Sequence, residues 1–561
     1  MIHTTAGRRA ATRLIACAGA AALLLTGCST ADQGGSAGES RTTDDGRIAY
    51  LNLGNFSNAS NPKPNYNPFS TTAIGPLWTI YDPLFEVNKY DCSEVPQLAT
   101  EYEWTSPTEM RLTTREGVTW NDGEAFTAED VAFTFTLLKK NPALDTKGVG
   151  VRLTSAEATS DTEVVLTFDG PAYAIKDKII ETTIVPEHVW AGVDDPATYT
   201  AEEAVGTGMF TVKSLNPQQF TVEANPDYWQ ADKVKVDELR FTKAAEGQVD
   251  QLRLARGEYD HNSMFVPDIE DSYVAKDPEH NKYWFASGSP ISLYMNLTEA
   301  PFDDVEFRRA IAQAVDKERL TEEAGYGYVE PASQTLLVLP GQEDWLDPSI
   351  PDEGMVAYDP ETAADALTAA GYELDADGKR LGKDGEPLAF TFTTPQGWSD
   401  WTAAADSVKD DFAELGIAVD VDTPDYPTVE QNRLTGTFDM AFGVRGGLCS
   451  MYQSFAEPLA SENTAPVGKK ASTNEVRWRD ARTDALLEEL EVTEDVEAQK
   501  PIVHELQQIM VDQVPFVPLW YGGKWFEYNT KHATGWPSAE DPYAGSDNNR
   551  LIYTSLVPAE D

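Results

Sequence analysis

The sequence predicts an α/β protein with two or three lobes, and two observations lead to that prediction. Short runs rich in β-branched and aromatic residues alternate with well-capped helices along most of the chain, a pattern typical of α/β architecture. The segment able to form a core begins near residue 47 and is about 515 residues long, more than one core accommodates. Several lobes joined by short connections are therefore expected.

Capping residues place four helices. Thr127 with Asp130 predicts a capping box that opens the first helix. Asp304 opens a second helix over DVEFRRAIAQAVDKERL, and Asp359 opens a third. A fourth is predicted from about residue 402 to 415. Strands are predicted over Phe210–Ser214, Phe220–Ala224, Tyr294–Leu297, Phe390–Thr394 and Phe438–Phe442.

The start of the chain has the features of an export signal. Three arginines precede an apolar run over 14–25, which is too short to span about 30 Å of hydrocarbon. The run ends in Leu-Thr-Gly-Cys, which resembles the lipobox of bacterial lipoproteins. That resemblance implies a signal peptide over 1–27 and a lipid on Cys28. An ordinary signal cut elsewhere is the alternative.

Residues 28–46 are predicted to be a flexible tether, because they include no large apolar side chain. The tether would hold the folded body at the outer face of the cytoplasmic membrane, lipid-anchored and extracellular. No later apolar run reaches 18 residues, so the sequence predicts no further span. The net charge of −50 repels nucleic acid and anionic head groups, which are therefore not expected partners.

No motif in the sequence indicates an enzyme. Cys92 and Cys449 are the only cysteines beyond the lipobox, and the sequence leaves open whether they pair. The six histidines form no His-x-x-x-His pair, and no catalytic or phosphate-binding motif occurs. Catalytic residues, metals and cofactors are therefore not predicted. A secreted glycoside hydrolase stays as an alternative, because it needs only two suitably spaced carboxylates.

Tryptophan-rich loops indicate a site for flat, neutral rings. Trp398 and Trp401 lie in PQGWSDW, Trp525 lies in YGGKWFEYN, and Trp536 lies in TGWPSAEDPY. Indole faces with hydrogen-bonding neighbours suit a pyranose ring, which is apolar on its faces and hydroxylated around its rim. Core packing is the alternative for each of these side chains.

Five blocks in order resemble the solute-binding proteins of ABC importers, in the family that contains oligopeptide- and dipeptide-binding proteins. They are TREGVTWNDGEAFTAEDVAFTF (114–135), VGTGMFTVKS with FTVEANPDYW (205–229), MNLTEAPFDDVEFRRAIAQAVDKERL (295–320), YDPETAADALTAAGY (358–372) and LGIAVDV (415–421). The resemblance implies a two-lobed periplasmic-binding-protein-like fold with a hinge and an extra subdomain in the first lobe.

The resemblance also implies the lobe boundaries and the partners. Lobe I would take 47–290, with the extra subdomain near 80–204, lobe II would take 291–519, and 520–561 would return to lobe I. The ligand would be enclosed between the lobes, and binding would favour the closed form because only that form contacts the ligand from both sides. The partners implied are a small-molecule solute, the permease subunits of an ABC transporter and the membrane through the lipid, with the protein itself a monomer.

The strand FDMAFGVRGGLCSMY departs from the peptide-binding members of that family. Arg445 stands where they have tryptophan, and Leu448 stands where they have an aspartate that pairs with the peptide amino group. A buried ammonium without an anionic partner is costly. In contrast, PQGWSDW, FEYNT and GWPSAEDPY resemble the oligosaccharide-binding (cellobiose-type) branch. The predicted ligand is therefore a β-linked gluco-oligosaccharide delivered to an ABC permease, with an oligopeptide as the alternative.

The candidate ligand contacts combine these loops with positions carried over from the family. Trp398 and Trp401 would stack on sugar rings. Asp400 would accept hydroxyl hydrogen bonds, with helix capping as the alternative. Arg445 would donate to ring hydroxyls, with a salt bridge as the alternative, and Gly446 would let the backbone approach. The full predicted set is Asn67, Trp78, Trp398, Asp400, Trp401, Tyr426, Arg445, Gly446, Trp525, Asn529 and Trp536.

Overall fold

The computed structural model describes residues 41–54, 62–244 and 248–560. The predicted signal peptide, Cys28 and the tether up to residue 40 lie outside the described residues. The last six tether residues, 41–46, belong to the folded body, because the Arg41 guanidinium lies 2.6 Å from the Asp260 carboxylate. No helix in these described ranges is long and apolar enough to cross a bilayer.

The described residues form twenty strands and fourteen α-helices. The strands are β1 (Leu51–Leu53), β2 (Phe85–Val87), β3 (Glu94–Pro96), β4 (Ala99–Ser106), β5 (Glu109–Thr114), β6 (Leu153–Ser160), β7 (Glu163–Phe168), β8 (Phe210–Asn216), β9 (Gln219–Ala224), β10 (Glu238–Thr242), β11 (His261–Asn262), β12 (Asn281–Tyr283), β13 (Ala286–Met295), β14 (Ala389–Thr393), β15 (Ala418–Asp422), β16 (Met440–Val444), β17 (Val517–Lys524), β18 (Glu527–Asn529), β19 (Ala533–Thr534) and β20 (Val557–Pro558). The helices are α1 (Ala128–Lys140), α2 (Lys176–Ile180), α3 (Glu187–Trp190), α4 (Gln248–Ala255), α5 (Ile269–Ser272), α6 (Val305–Ala314), α7 (Lys317–Glu323), α8 (Pro360–Ala369), α9 (Ser399–Glu414), α10 (Tyr426–Thr435), α11 (Met451–Leu459), α12 (Ala481–Glu491), α13 (Val496–Gln513) and α14 (Asn549–Tyr553).

Two large mixed sheets form the centres of two α/β lobes. The sheet of lobe I has the order β12-β18-β11-β1-β10-β9-β8, and the sheet of lobe II has the order β15-β14-β16-β13-β17. A third, antiparallel sheet, β4-β5-β7-β6, packs against α1 and has its own hydrophobic core, which forms the extra subdomain. The predicted fold class is confirmed.

The chain passes between the lobes at two adjacent crossovers, one between β12 and β13 and one between β17 and β18. The Trp284 amide of the first crossover donates to the Phe526 carbonyl of the second at 2.9 Å. The rings of Phe285 and Trp525 meet edge to face with centres 4.8 Å apart. The two crossovers therefore form one hydrogen-bonded, aromatic connection.

The three predicted caps, Thr127, Asp304 and Asp359, are confirmed at the starts of α1, α6 and α8. The Thr127 side chain caps α1, and the Asp130 carboxylate accepts a hydrogen bond from the Thr127 amide, as in the predicted capping box. The predicted helix after Asp304 is wrong in one respect, because it divides into α6 and α7. Asp316 caps the start of α7. Its side chain accepts a hydrogen bond from the Arg319 amide, which in one continuous helix would bond to a backbone carbonyl.

Candidate functional site

The carboxyl ends of parallel strands carry most of the predicted contacts. In lobe II, β14, β15, β16 and β17 run in one direction. The segments that follow them, including the first turns of α9 and α10, carry Trp398, Asp400, Tyr426, Arg445 and Trp525. In lobe I, β1, β10 and β11 are also parallel. Open α/β sheets bind ligands outside such strand ends. These two edges therefore define the candidate ligand site.

A cavity of about 290 Å³, the lobe I cavity, lies at the lobe I edge. The Trp78 indole stacks on the Tyr553 ring, with centres 5.2 Å apart and planes at 17°. The cavity therefore presents flat rings beside neutral amides. Its lining residues are Leu53, Gly54, Gly75, Pro76, Trp78, Phe241, His261, Asn262, Ser263, Asn549 and Tyr553.

His261 is a neutral member of this lining. Its Nδ1 lies 3.2 Å from the Tyr553 hydroxyl, and its ring packs 4.4 Å from the ring of Phe526. Burial lowers the pKa of His261 to about 3, so the imidazole is uncharged at neutral pH. No carboxylate, ammonium or guanidinium occurs among the described residues that line the cavity. The lobe I cavity therefore suits a neutral ligand.

A space of only about 10 Å³, the crossover cavity, is lined by residues of both lobes and has room for about one water molecule. Trp525 packs there with the rings of Phe265 and Phe285, at centre distances of 5.2 and 4.8 Å. Asp400 faces the same space, and burial raises the pKa of its carboxyl. The structure therefore brings Asp400 and Trp525 together between the lobes. The lining is Phe265, Leu320, Ala324, Gly325, Val329, Asp400, Trp520 and Trp525.

The PQGWSDW loop separates its two indoles into an exposed and a buried one. Trp398 is 39% exposed and stacks on Tyr426, which is 41% exposed, with ring centres 5.2 Å apart. Trp401 is 8% exposed and packs against Phe442 in the lobe II core. The prediction that Trp401 contacts the ligand is therefore withdrawn, because its indole is used for packing. Trp398 and Tyr426 together present an exposed aromatic surface.

Arg445 is held in a partly buried ion pair. Its Nη2 donates to the Glu475 carboxylate at 3.0 Å, and Arg433 pairs with the same carboxylate at 3.3 Å. The salt bridge that was the alternative for Arg445 is therefore present. At Gly446, an added Cβ would lie 2.6 Å from Leu336 side-chain atoms, so the glycine is needed for protein packing.

Three predicted contacts are corrected because their polar groups serve lobe I. The Asn67 side chain is fully buried and donates to the carbonyls of Pro196 and Tyr199. The Asn529 amide donates to the Asn281 side chain at 2.7 Å. Trp536 is a core residue whose Nε1 donates to a backbone carbonyl 2.9 Å away. These side chains stabilise lobe I and do not face either cavity.

A third cavity, of about 450 Å³, lies beside a disulfide bond between Cys92 and Cys449. We call it the disulfide cavity. Leu448 lines it, as do acidic side chains that include Glu457 and Asp177. Lys524 is paired across it with Asp547 at 2.5 Å. Among the described residues, no group of three His, Cys, Asp or Glu side chains could hold a metal ion.

A buried ion-pair network positions the helix that carries Tyr553. Arg550, on α14, donates to Asp82 at 3.1 Å and to Glu86 at 2.7 Å. Thr207 also donates to Asp82, at 3.1 Å. The network fixes the C-terminal segment against lobe I, and so fixes the Tyr553 ring beneath Trp78.

Sequence reasoning missed several residues of the cavities, above all His261, Tyr553, Asn549 and Phe265. They come from segments without a recognisable motif. The first three meet in the lobe I cavity through the fold of lobe I, and Phe265 lines the crossover cavity. Asn548, at the N-cap of α14, and Asn549, its first residue, offer only a weak signal, because asparagine is common at helix starts.

Two α/β lobes joined by paired crossovers, with cavities at the facing strand ends, define a solute-binding protein of the transport class. The family model described as "Bacterial extracellular solute-binding proteins, family 5 Middle" matches residues 94–466. The chain belongs to this family. Its members are transport binding proteins and not enzymes, which confirms the prediction that the chain is no enzyme.

Solved structures and curated proteins show the same relationship. An oligopeptide ABC transporter periplasmic oligopeptide-binding protein from Thermotoga maritima is 26% identical, with a TM-score of 0.83 over 91% of this chain and 99% of that chain. The same protein bound to mannohexaose is 25% identical, with a TM-score of 0.77 over the same shares. The oligopeptide-binding protein AppA of Bacillus subtilis is 23% identical over 72% of this chain and 74% of its own length.

Proposed function

We propose that this protein is a lipid-anchored receptor that captures a neutral, β-linked oligosaccharide between its lobes and delivers it to an ABC permease. The observation that carries the sugar assignment is the lobe I cavity, where aromatic rings and neutral amides stand together without a charged side chain among the described lining. Pyranose rings stack on aromatic faces, and their hydroxyls hydrogen-bond to amides.

Two further observations support the sugar ligand. Trp398 and Tyr426 expose a second stacked aromatic surface at the lobe II strand ends. A solved relative, 25% identical and alike in fold over 91% of this chain, was crystallised with mannohexaose. Both β-linked gluco- and manno-oligosaccharides are therefore ligands to test. The anchor at Cys28 is proposed from the lipobox alone.

One observation favours an oligopeptide as the second candidate. Leu448 replaces the acid that peptide-binding relatives are expected to have, yet Glu457 lines the same cavity as Leu448. The Glu457 carboxylate forms no salt bridge within 4 Å among the described residues, although its charge also acts on the Arg445 guanidinium, so it is available to meet an ammonium group. An oligopeptide could place its amino terminus in the disulfide cavity.

A ligand panel decides between the two. The mature protein is heated with cellohexaose, mannohexaose or a mixture of tri- to penta-peptides, and unfolding is followed by fluorescence. A ligand at 100 times its Kd adds about 2.7 kcal/mol to the stability. We expect at least one hexaose to raise the melting temperature and the peptides to leave it unchanged.

A matched variant makes the outcome specific to each site. Glu457→Gln removes the free carboxylate without changing the size of the side chain. The sugar assignment fails if peptides alone raise the melting temperature, and a loss of that rise in the variant would assign the peptide to the disulfide cavity.

A further inference from the structure

The turn that follows α7 in lobe II carries a further exposed aromatic ring. Tyr326 is 47% exposed, and its backbone φ of +54° lies in the left-handed region. A residue with a Cβ atom is strained there, and a glycine would avoid that strain. Strain of this kind clusters at functional sites, where the surrounding structure maintains it. The geometry of the turn alone therefore does not explain why a tyrosine occupies this position.

Contacts with both lobes hold the Tyr326 ring in place. It lies nearly parallel to the Tyr328 ring, with centres 6.0 Å apart and planes at 19°, and it meets the Phe265 ring of lobe I at 5.8 Å. Tyr328 is itself fixed to lobe I, because its hydroxyl accepts a hydrogen bond from the Ile269 amide at 2.8 Å. The Tyr326 hydroxyl has no hydrogen-bond partner among the described residues. It is therefore available to a ligand.

Tyr326 lies beside the proposed sugar site. Its partner Phe265 lines the crossover cavity, as does Gly325, the residue before Tyr326. Ser263 lines the lobe I cavity and is two residues from Phe265, so the Cα atoms of Ser263 and Phe265 are at most about 7 Å apart. The short segment 263–265 therefore connects the lobe I cavity to the ring of Tyr326.

The exposed aromatic surface of lobe II borders the same space. Asp400, which lines the crossover cavity together with Gly325, follows two residues after Trp398, and Trp398 stacks on Tyr426. Five aromatic side chains are exposed in the described part of the chain, and Tyr326, Trp398 and Tyr426 are three of them. The crossover cavity is too small for a sugar ring, so a ligand would lie over its rim, against these exposed rings.

We propose that Tyr326 contacts the sugar and extends the site beyond the lobe I cavity, an inference that rests on the proposed function. While one ring of a long oligosaccharide stacks on Trp78, a later ring lies against the exposed face of Tyr326, and the Tyr326 hydroxyl hydrogen-bonds to a sugar hydroxyl. The site therefore favours a long oligosaccharide over a disaccharide, because a disaccharide confined to the lobe I cavity gains nothing from Tyr326.

Calorimetric titration with cellohexaose and mannohexaose tests this inference. Tyr326→Gly removes the ring and relieves the backbone strain, and we expect its Kd for the hexaose that binds to be about 10-fold higher. Tyr358→Ala is the matched control, because Tyr358 is a 39% exposed tyrosine of lobe II that lines none of the three cavities. Its Kd should equal that of the original protein.

The outcomes separate this inference from the proposed function. A hexaose that binds the original protein and Tyr326→Gly with the same Kd overturns the role of Tyr326 and leaves the sugar assignment standing. If neither hexaose binds the original protein, the sugar assignment fails, and the role of Tyr326 fails with it.

Fluorine NMR reports the contact without removing the side chain. The protein is labelled with 3-fluorotyrosine, and the resonance absent from Tyr326→Phe is assigned to Tyr326. We expect this resonance to shift when the hexaose is added, while the resonance assigned in the same way through Tyr358→Phe stays in place. A Tyr326 resonance that does not move at saturating hexaose overturns the inference even if Tyr326→Gly binds weakly, because the lost affinity would then come from the altered turn.

Discussion

The Trp78 indole lies nearly parallel to the Tyr553 ring, at 5.2 Å between centres, although the two residues come from opposite ends of the described chain. The Arg550 network holds α14 in the position that makes this contact. The principal aromatic surface of the proposed site is therefore built from an early loop of lobe I and the segment that returns to it.

Replacing Trp78 should weaken sugar binding. Trp78→Ala removes the flat surface of the lobe I cavity, and the loss of about 1.5–3 kcal/mol of stacking and burial corresponds to a Kd about 10- to 100-fold higher. Isothermal titration with the hexaose that binds checks this value. Trp104→Ala is the control, because Trp104 packs on Tyr173 in the extra subdomain and lines none of the three cavities. Equal affinities in the two folded variants would remove Trp78 from the site.

The two indoles of the PQGWSDW loop should respond differently. Trp401→Ala empties a core position and should cost about 3–5 kcal/mol of unfolding free energy. Trp398→Ala should cost much less stability, because Trp398 is 39% exposed, but should raise the Kd for the hexaose. Urea unfolding and calorimetric titration on both proteins separate these effects. A Trp398 variant with the affinity of the original protein would show that its stack on Tyr426 is structural.

Acidification should destabilise the protein in part through His261. The folded-state pKa of His261 is about 3, below the ordinary value of 6.5, so only the unfolded chain gains this proton between those values. The stabilisation is complete above pH 6.5 and falls as the pH falls. Between pH 6.5 and 5 the loss is about 2 kcal/mol, at 1.36 kcal/mol per pH unit. His261→Gln should reduce this part of the pH dependence in urea titrations, and an identical pH dependence would contradict it.

Removing the buried cation of α14 should be costly. Arg550→Met leaves the carboxylates of Asp82 and Glu86 buried without their partner, which costs about 3–5 kcal/mol. Because burial raises the pKa of Asp82, the deficit should be smaller at pH 5 than at pH 7, since proton uptake by the unpaired carboxyl relieves it more at the lower pH. Chemical unfolding at both pH values measures this difference. Arg550→Lys, which keeps the charge, should recover part of the stability, and a loss as large as that of Arg550→Met would show that geometry matters more than charge.

The disulfide should also stabilise the folded state. It closes a loop of 357 positions, and restricting the unfolded chain by so long a loop contributes about 2–5 kcal/mol. The Cys92→Ser, Cys449→Ser variant should therefore unfold at lower urea concentration than the oxidised protein. The oxidised protein without substitutions is the reference. Identical urea unfolding curves for this protein and the double variant would contradict the expectation.

The sequence by itself determined the local and class-level features. Capping residues such as Thr127 and Asp359 form their hydrogen bonds within one turn of helix, so their effect is local and readable from spacing. The ordered blocks placed the chain in its family, whose model matches residues 94–466. The aromatic loops after β14 and β17 were also readable, since indoles in polar loops stand out.

Only the tertiary structure decided which of those residues face a cavity. Trp398 and Trp401 have the same local signal, yet Trp398 stands at the extended position before α9 and stays half-exposed, whereas Trp401 lies within α9 and packs into the lobe II core. Asn67 looked like a binding residue, but its partners lie about 130 positions away, so its burial could not be read locally. The meeting of His261 with Tyr553, and of Cys92 with Cys449, depends on the order of strands within and between lobes. Contacts of that range are set by the packing of whole sheets, which sequence spacing does not encode.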